Sequence, residues 1–196
     1  MMNWQTLFNP FSKISEKRLF LFGLLFFSVN SVVCFFTSTK MDSIFHFSPQ
    51  KNLSLSSAFS FTAVSSASAM FFLFLLSLVI NKRTRFIDIA NTVFISQVPN
   101  FLILLCIKFS GLETLTSKIN TTNGTPPSLN LDSIAIIPFT IGIILMLAFI
   151  IYGFVLMYNG FKTATNLKKG YHIALFIISL FLFITFHQVY IQYLHL

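Results

Sequence analysis

The sequence predicts an all-α protein: a polytopic membrane helical bundle of about five transmembrane helices, preceded by a short interfacial helix. Three observations carry that reading. Apolar residues make up 55% of the 196-residue chain and charged residues only 9%, against about a quarter charged in an average soluble domain. Phenylalanine alone occurs 27 times and the mean hydropathy is +0.81, more apolar surface than a water-soluble core hides. The apolar residues also gather into five runs, each near the roughly 20 residues that cross a bilayer as a helix.

Residues 1–18 read as a cytoplasmic N-terminal segment and 19–196 as one membrane domain. In the first, Trp4, Leu7, Phe8, Phe11 and Ile14 recur at helical spacing, and Lys13, Glu16, Lys17 and Arg18 gather at its end. That is the pattern of a helix lying in the membrane interface, with Asn9-Pro10 as a turn that divides it. The apolar run that follows is too long for a signal peptide and lacks a small-residue cleavage site, so it is expected to stay in the mature protein.

The five spans are read at about 19–37, 58–80, 86–112, 134–157 and 171–194. The third is interrupted by Asp88, Asn91, Gln97, Pro99 and Asn100, which leaves open a kinked helix or two shorter pieces. It is kept as a single crossing because only an odd count fits the charges. Lys13, Lys17, Arg18, Lys82, Arg83, Arg85, Lys162, Lys168 and Lys169 fall in alternate connections, while Lys40, Lys51, Lys108 and Lys118 fall in the others. Basic residues accumulate on the cytoplasmic side, so the N-terminus is expected inside and the C-terminus outside. The longest connection, 113–133, is expected to be an outward loop. It holds glycosylation-type triplets at Asn120 and Asn123, which carry little weight because such triplets are common.

Thirteen Lys and Arg stand against five Asp and Glu. In a soluble domain that balance raises nucleic acid as a partner. Here the charges flank apolar runs and meet lipid headgroups, so the expected partner is the bilayer and nucleic acid is not expected. Cys34 and Cys106 both lie inside apolar runs, without the spacing or neighbours of a metal site. No cofactor and no metal are expected.

The most unusual stretch opens the third span. At about 100° per residue, Asp88, Asn91, Thr92, Ser96 and Pro99 project from one side of a helix. One reading is a solute or ion path with Asp88 as its charged group and a carbonyl freed by Pro99. The other has Asp88 at the helix N-terminus paired with Arg83 or Arg85, and the amides holding neighbouring helices. The second is preferred because Asp88 is only one turn into the span. Ala63 and Ala67 form a small-xxx-small pair, and Gly142, Gly153 and Gly160 lie along the fourth span; all read as helix-packing positions. His187, beside Tyr190 and Tyr193, and His195 read as part of an outward interfacial belt. Motifs for serine, zinc or phosphate chemistry are missing, as are paired acids within a span. Catalysis is not expected.

Four stretches carry a resemblance: Asn9-Pro10-Phe11 before the first span, Asn81 to Phe86 leading into the third, Ile95-Ser96-Gln97-Val98-Pro99 within it, and Tyr158-Asn159-Gly160 running to Thr163-Ala164. With the five-span layout, the chain resembles the Yip family of Ypt/Rab-interacting membrane proteins, in particular its compact bacterial members. The resemblance implies five spans with the N-terminus in the cytoplasm, and no catalytic residue. Eukaryotic relatives carry a longer acidic and aromatic N-terminal segment, so a trafficking role through small GTPases is not carried over. The expected function is a non-enzymatic scaffold or accessory subunit working with other membrane subunits or with itself. The alternative is a small transport or permeation protein with its path along the third span.

Overall fold

The computed structural model describes residues 4–110 and 133–193, the side chains of 133–136 excepted. The loop expected over 113–133, its Asn120 and Asn123 triplets and His195 fall outside them, save Ser133 at the loop's end. A short helix α1 (Trp4–Phe8) and a single 3₁₀ turn at Pro10–Ser12 precede α2 (Glu16–Phe36). A two-stranded antiparallel hairpin follows, β1 (Thr39–Ser43) and β2 (His46–Pro49). Then come α3 (Leu55–Ile80), α4 (Phe86–Ser96), α5 (Asn100–Phe109), α6 (Ser133–Thr165) and α7 (Gly170–Gln192). Among the described residues five helical segments are long and apolar enough to cross a membrane, with α4 and α5 together supplying the third.

Local chemistry sets the boundaries. Ser54 caps α3 by accepting the Ser57 N–H at 3.0 Å, so that helix starts at Leu55, ahead of the apolar run that marks it in sequence. At the end of α2 the Thr37 hydroxyl donates to the Val33 carbonyl at 2.9 Å, and Ser38 then takes a φ of 50°. That left-handed residue turns the chain out of the helix and into β1. Asn166 does the same after α6, with a φ of 53°. Between α3 and α4, Asn81 accepts the Arg83 N–H on its side chain and reaches the Thr165 carbonyl at 3.3 Å.

The third crossing is two helices. Gln97, Val98 and Pro99 form a turn between α4 and α5. Proline lacks the N–H that a continuous helix needs, and its ring restricts the residue before it. The fourth span runs past the expected 157 to Thr165. At about 1.5 Å per residue its 33 residues reach roughly 50 Å, well beyond the ~30 Å hydrocarbon thickness, so its last turns stand clear of the apolar layer.

The third crossing sits at the centre. Half of its apolar window is buried, against 17% for each of the fourth and fifth, whose outer faces are left for lipid. Lipid tails are as apolar as leucine side chains, so close backbone approach has to supply much of the cohesion. Glycines make that approach possible. A Cβ on Gly23 would come 2.5 Å from Phe94 Cβ, one on Gly142 2.5 Å from Ser110 Cβ, and one on Gly153 2.6 Å from the Phe45 ring and 3.1 Å from the Ser96 carbonyl oxygen. On Gly160 it would lie 2.7 Å from both Phe11 Cζ and Thr92 Oγ1. Thus α6 lies on α4, α5, the hairpin and the N-terminal segment through three glycines. Ala63 and Ala67 are both exposed, and the inward face of α3 is Ala58, Thr62, Ser65, Ser66 and Ala69. The Ala63 and Ala67 spacing is right for one helix face, but it is the face turned away from the bundle.

Candidate functional site

The end of the bundle where α2 and α4 begin carries most of the basic residues. There the Arg85 guanidinium grips Asp88 with two bonds, Nη2 to Oδ1 at 2.8 Å and Nε to Oδ2 at 3.1 Å, and reaches Glu16 at 2.7 Å. The Arg85 guanidinium is held still more firmly protonated than usual, first through its bonds to Asp88 and then through those to Glu16. All three side chains are partly solvated, so the ion pairs add little to net stability. Their role is register: they tie the first turn of α2 to the first turn of α4. A cleft of about 290 Å³ opens beside them.

The rest of the polar face is engaged on its own chain. Asn91 donates to the Glu16 carbonyl at 3.3 Å, Thr92 to the Asp88 carbonyl at 2.8 Å and Ser96 to the Val93 carbonyl at 2.8 Å. The last two are bonds back along the same helix, and these residues face Gly160 and Gly153 of α6. Pro99 stands in the turn that separates α4 from α5.

Deeper in the bundle lies a polar arrangement that the sequence reading missed. The hairpin folds inward, with Met41, Ser43 and Ile44 fully buried and Asp42 1% exposed. Strand backbone away from water needs partners within the protein, and three helices supply them. Ser65 of α3 donates to the Met41 carbonyl at 2.8 Å, His187 Nδ1 of α7 to the Asp42 carbonyl at 2.8 Å, and Asn100 Nδ2 of α5 to the Ile44 carbonyl at 2.9 Å. The turn between α4 and α5 is held from two more sides: Asn30 Nδ2 donates to the Gln97 carbonyl at 2.9 Å, and Ser66 to Gln97 Oε1 at 3.1 Å. His187 is therefore 6% exposed rather than interfacial. Because a carbonyl can only accept, its Nδ1 carries the proton. A sequence cue for the hairpin did exist: Ile44, Phe45 and Phe47 form a short β-prone run bounded by Ser and Pro.

The hairpin also has an ionisable clasp. His46 Nδ1 lies 2.6 Å from the Asp42 carboxylate, and that hydrogen bond raises the His46 pKa above its usual 6.5. A raised folded pKa means the clasp stabilises fully below about pH 6.5 and is lost as pH rises through the His46 pKa. We expect His46→Gln to melt below the wild-type protein at about pH 5.5, with the gap closing at higher pH. With His46 half exposed, the gap should be at most about 1 kcal/mol; melting curves across pH check it.

Among the described residues no group of three or more His, Cys, Asp or Glu is placed to hold a metal ion. A family model, the Yip1 domain, matches residues 4–191. The chain belongs to the Yip1 domain family. No curated protein and no solved structure matches it. In this Yip1 domain the four stretches that carry the resemblance have identifiable structural contacts. Phe8 gives its carbonyl to Asn159 at 2.8 Å and Phe11 lies against Gly160, so the N-terminal Asn-Pro-Phe turn rests on the Tyr-Asn-Gly turn of α6. Arg85 of the second stretch binds Glu16, and Gln97 of the third is the residue held by Asn30 and Ser66. Tyr152 adds a bond to the Leu7 carbonyl at 3.0 Å.

Proposed function

We propose that this Yip1-domain protein is a non-enzymatic scaffold or accessory subunit of a membrane complex, in a bacterial inner membrane with its basic end in the cytoplasm. One observation carries the reading. From Asp88 to Asn100 each polar side chain of the third crossing bonds within the chain: Asp88 to Arg85, Asn91 to α2, Thr92 and Ser96 to their own helix, Gln97 to Ser66 and Asn100 to the hairpin; the atoms left without a partner among the described residues, Asn91 Oδ1, Gln97 Nε2 and Asn100 Oδ1, are buried and closed off from solvent. A path for a solute needs polar groups free to meet it; a scaffold needs a rigid interior and an outer face open to a neighbour. Ala63 and Ala67 give such a face. They are exposed and one helical turn apart, the spacing at which another subunit's helix approaches closely.

The test is native purification in mild detergent with chemical crosslinking. We expect a stable complex, with a second membrane subunit or a second copy, that Ala67→Leu dissociates while leaving the melting temperature of the chain unchanged. A protein that runs only as a free monomer overturns the scaffold reading. Solute flux in reconstituted vesicles that changes on Asp88→Asn would put transport in its place.

A further inference from the structure

Beneath the N-terminal segment lies a second cleft, of about 350 Å³ and almost wholly apolar. Leu7, Pro10 and Ile14 close it on one side, and Leu19, Ile95 and Leu156 form its wall from α2, α4 and α6. Its volume falls at the lower end of the roughly 300–1,000 Å³ typical of small-molecule sites. Arg18, exposed, contributes the charged part of the lining. Among the described residues Arg18 has no ion-pair partner, whereas Arg85 is taken up by Glu16 and Asp88.

Depth and direction decide what the cleft suits. Arg18 lies in the first turn of α2, at the basic end. Ile95 and Val98, also in the lining, lie roughly 14–18 Å along from Phe86 at about 1.5 Å per residue. One leaflet of hydrocarbon is ~15 Å thick, half of the ~30 Å core. The cleft therefore runs from the headgroup level to about the middle of the bilayer, along the direction an acyl chain takes, with a free guanidinium at the headgroup end. Guanidinium binds phosphate through paired N–H bonds.

We propose that this groove seats one acyl chain of an anionic phospholipid, with the headgroup phosphate on Arg18. A chain in the groove exchanges lipid surroundings for apolar side chains and gains little by the exchange, so selectivity rests on the headgroup. The proposal is independent of the scaffold reading, because the groove and the Ala63 and Ala67 face are on different helices.

The experiment uses the full chain in neutral detergent, with retained lipid counted by native mass spectrometry. The probes are phosphatidylglycerol and phosphatidylcholine of identical chains, together with glycerol phosphate as a chainless anion. We expect one equivalent of phosphatidylglycerol to be retained about fivefold over phosphatidylcholine, the factor that one basic residue near an anionic headgroup contributes. Arg18→Gln should erase that preference, and Arg83→Gln, a charge removed at the same end but off the groove, should leave it. Equal retention of the two lipids overturns the proposal. So does an Arg83→Gln protein that loses the preference as completely as Arg18→Gln, which would mark diffuse surface charge, or glycerol phosphate displacing the lipid at equal concentration, which would mark a chainless anion site.

Discussion

Gly153→Val is expected to be the most damaging single substitution at the helix contacts, lowering stability by about 3 kcal/mol. The added carbon would meet the Phe45 ring at 2.6 Å and the Ser96 carbonyl oxygen at 3.1 Å. The ring is itself packed, at 4.7 Å centroid distance from Phe154 and buried to 8% exposure, and the carbonyl belongs to the last turn of α4. Neither neighbour yields cheaply, and overpacking a filled interior costs about 1–3 kcal/mol; the upper end applies because valine's branch is stiff at χ1. At roughly 2–4 °C per kcal/mol for a chain of this size, thermal melting in detergent should show a drop of about 6–12 °C. Gly170→Ala is the matched control: an added Cβ there meets nothing within 4 Å, and melting should not fall. If Gly153→Val melted with the wild type, α6 would not be seated on the hairpin as described.

The second large effect is expected from Asn100→Leu. Leucine keeps the bulk and removes the Nδ2 donor that serves the buried Ile44 carbonyl at 2.9 Å. Asparagine's own oxygen is buried and has no partner among the described residues, so its removal offsets part of the loss. A buried carbonyl left unpaired costs about 1–3 kcal/mol, while single polar contacts in membrane bundles average about 0.6 and reach about 1.7. We expect about 1.5 kcal/mol, with hydrogen exchange rising selectively over 39–49. Ser96→Ala, which removes only a bond along its own helix, should cost no more than a few tenths. Equal effects of the two substitutions would show that the hairpin does not depend on the Asn100 bond.

The spans were legible in the sequence because lipid imposes a composition on whole runs of residues: α3 and α6 contain their expected runs, and α2 and α7 end one and two residues short of theirs. The break in the third was half legible. Pro99 marked it, but the bonds that hold the turn, from Asn30 and Ser66 to Gln97, join residues 67 and 31 positions apart. Periodicity within one helix cannot report such bonds. It likewise grouped Asp88, Asn91, Thr92 and Ser96 on one face, and the nearby arginines suggested the Asp88 pairing, but it did not show that the next turns of that face meet glycines of α6. The hairpin and the burial of His187 were missed for a common reason. An eleven-residue polar and aromatic stretch between spans reads as a connection, and a histidine beside two tyrosines reads as a belt, until each is seen as the other's partner. Ala63 and Ala67 show the converse, since spacing identifies a face and leaves open which way it points.

Synthesis order gives the hairpin a further consequence. Its strands leave the ribosome after the first span, when none of the three donors to Met41, Asp42 and Ile44 has been made. Ser65 arrives with the second crossing, Asn100 with the third, and His187 near the end of the fifth. Backbone groups without partners are excluded from the hydrocarbon layer, so the hairpin has to wait at the surface while four more helices insert beneath it. Its seating is therefore expected to be complete only after the fifth span is made. A nascent chain arrested before residue 187 would hold its spans in the bilayer and yet leave residues 39–49 outside the bundle, open to protease.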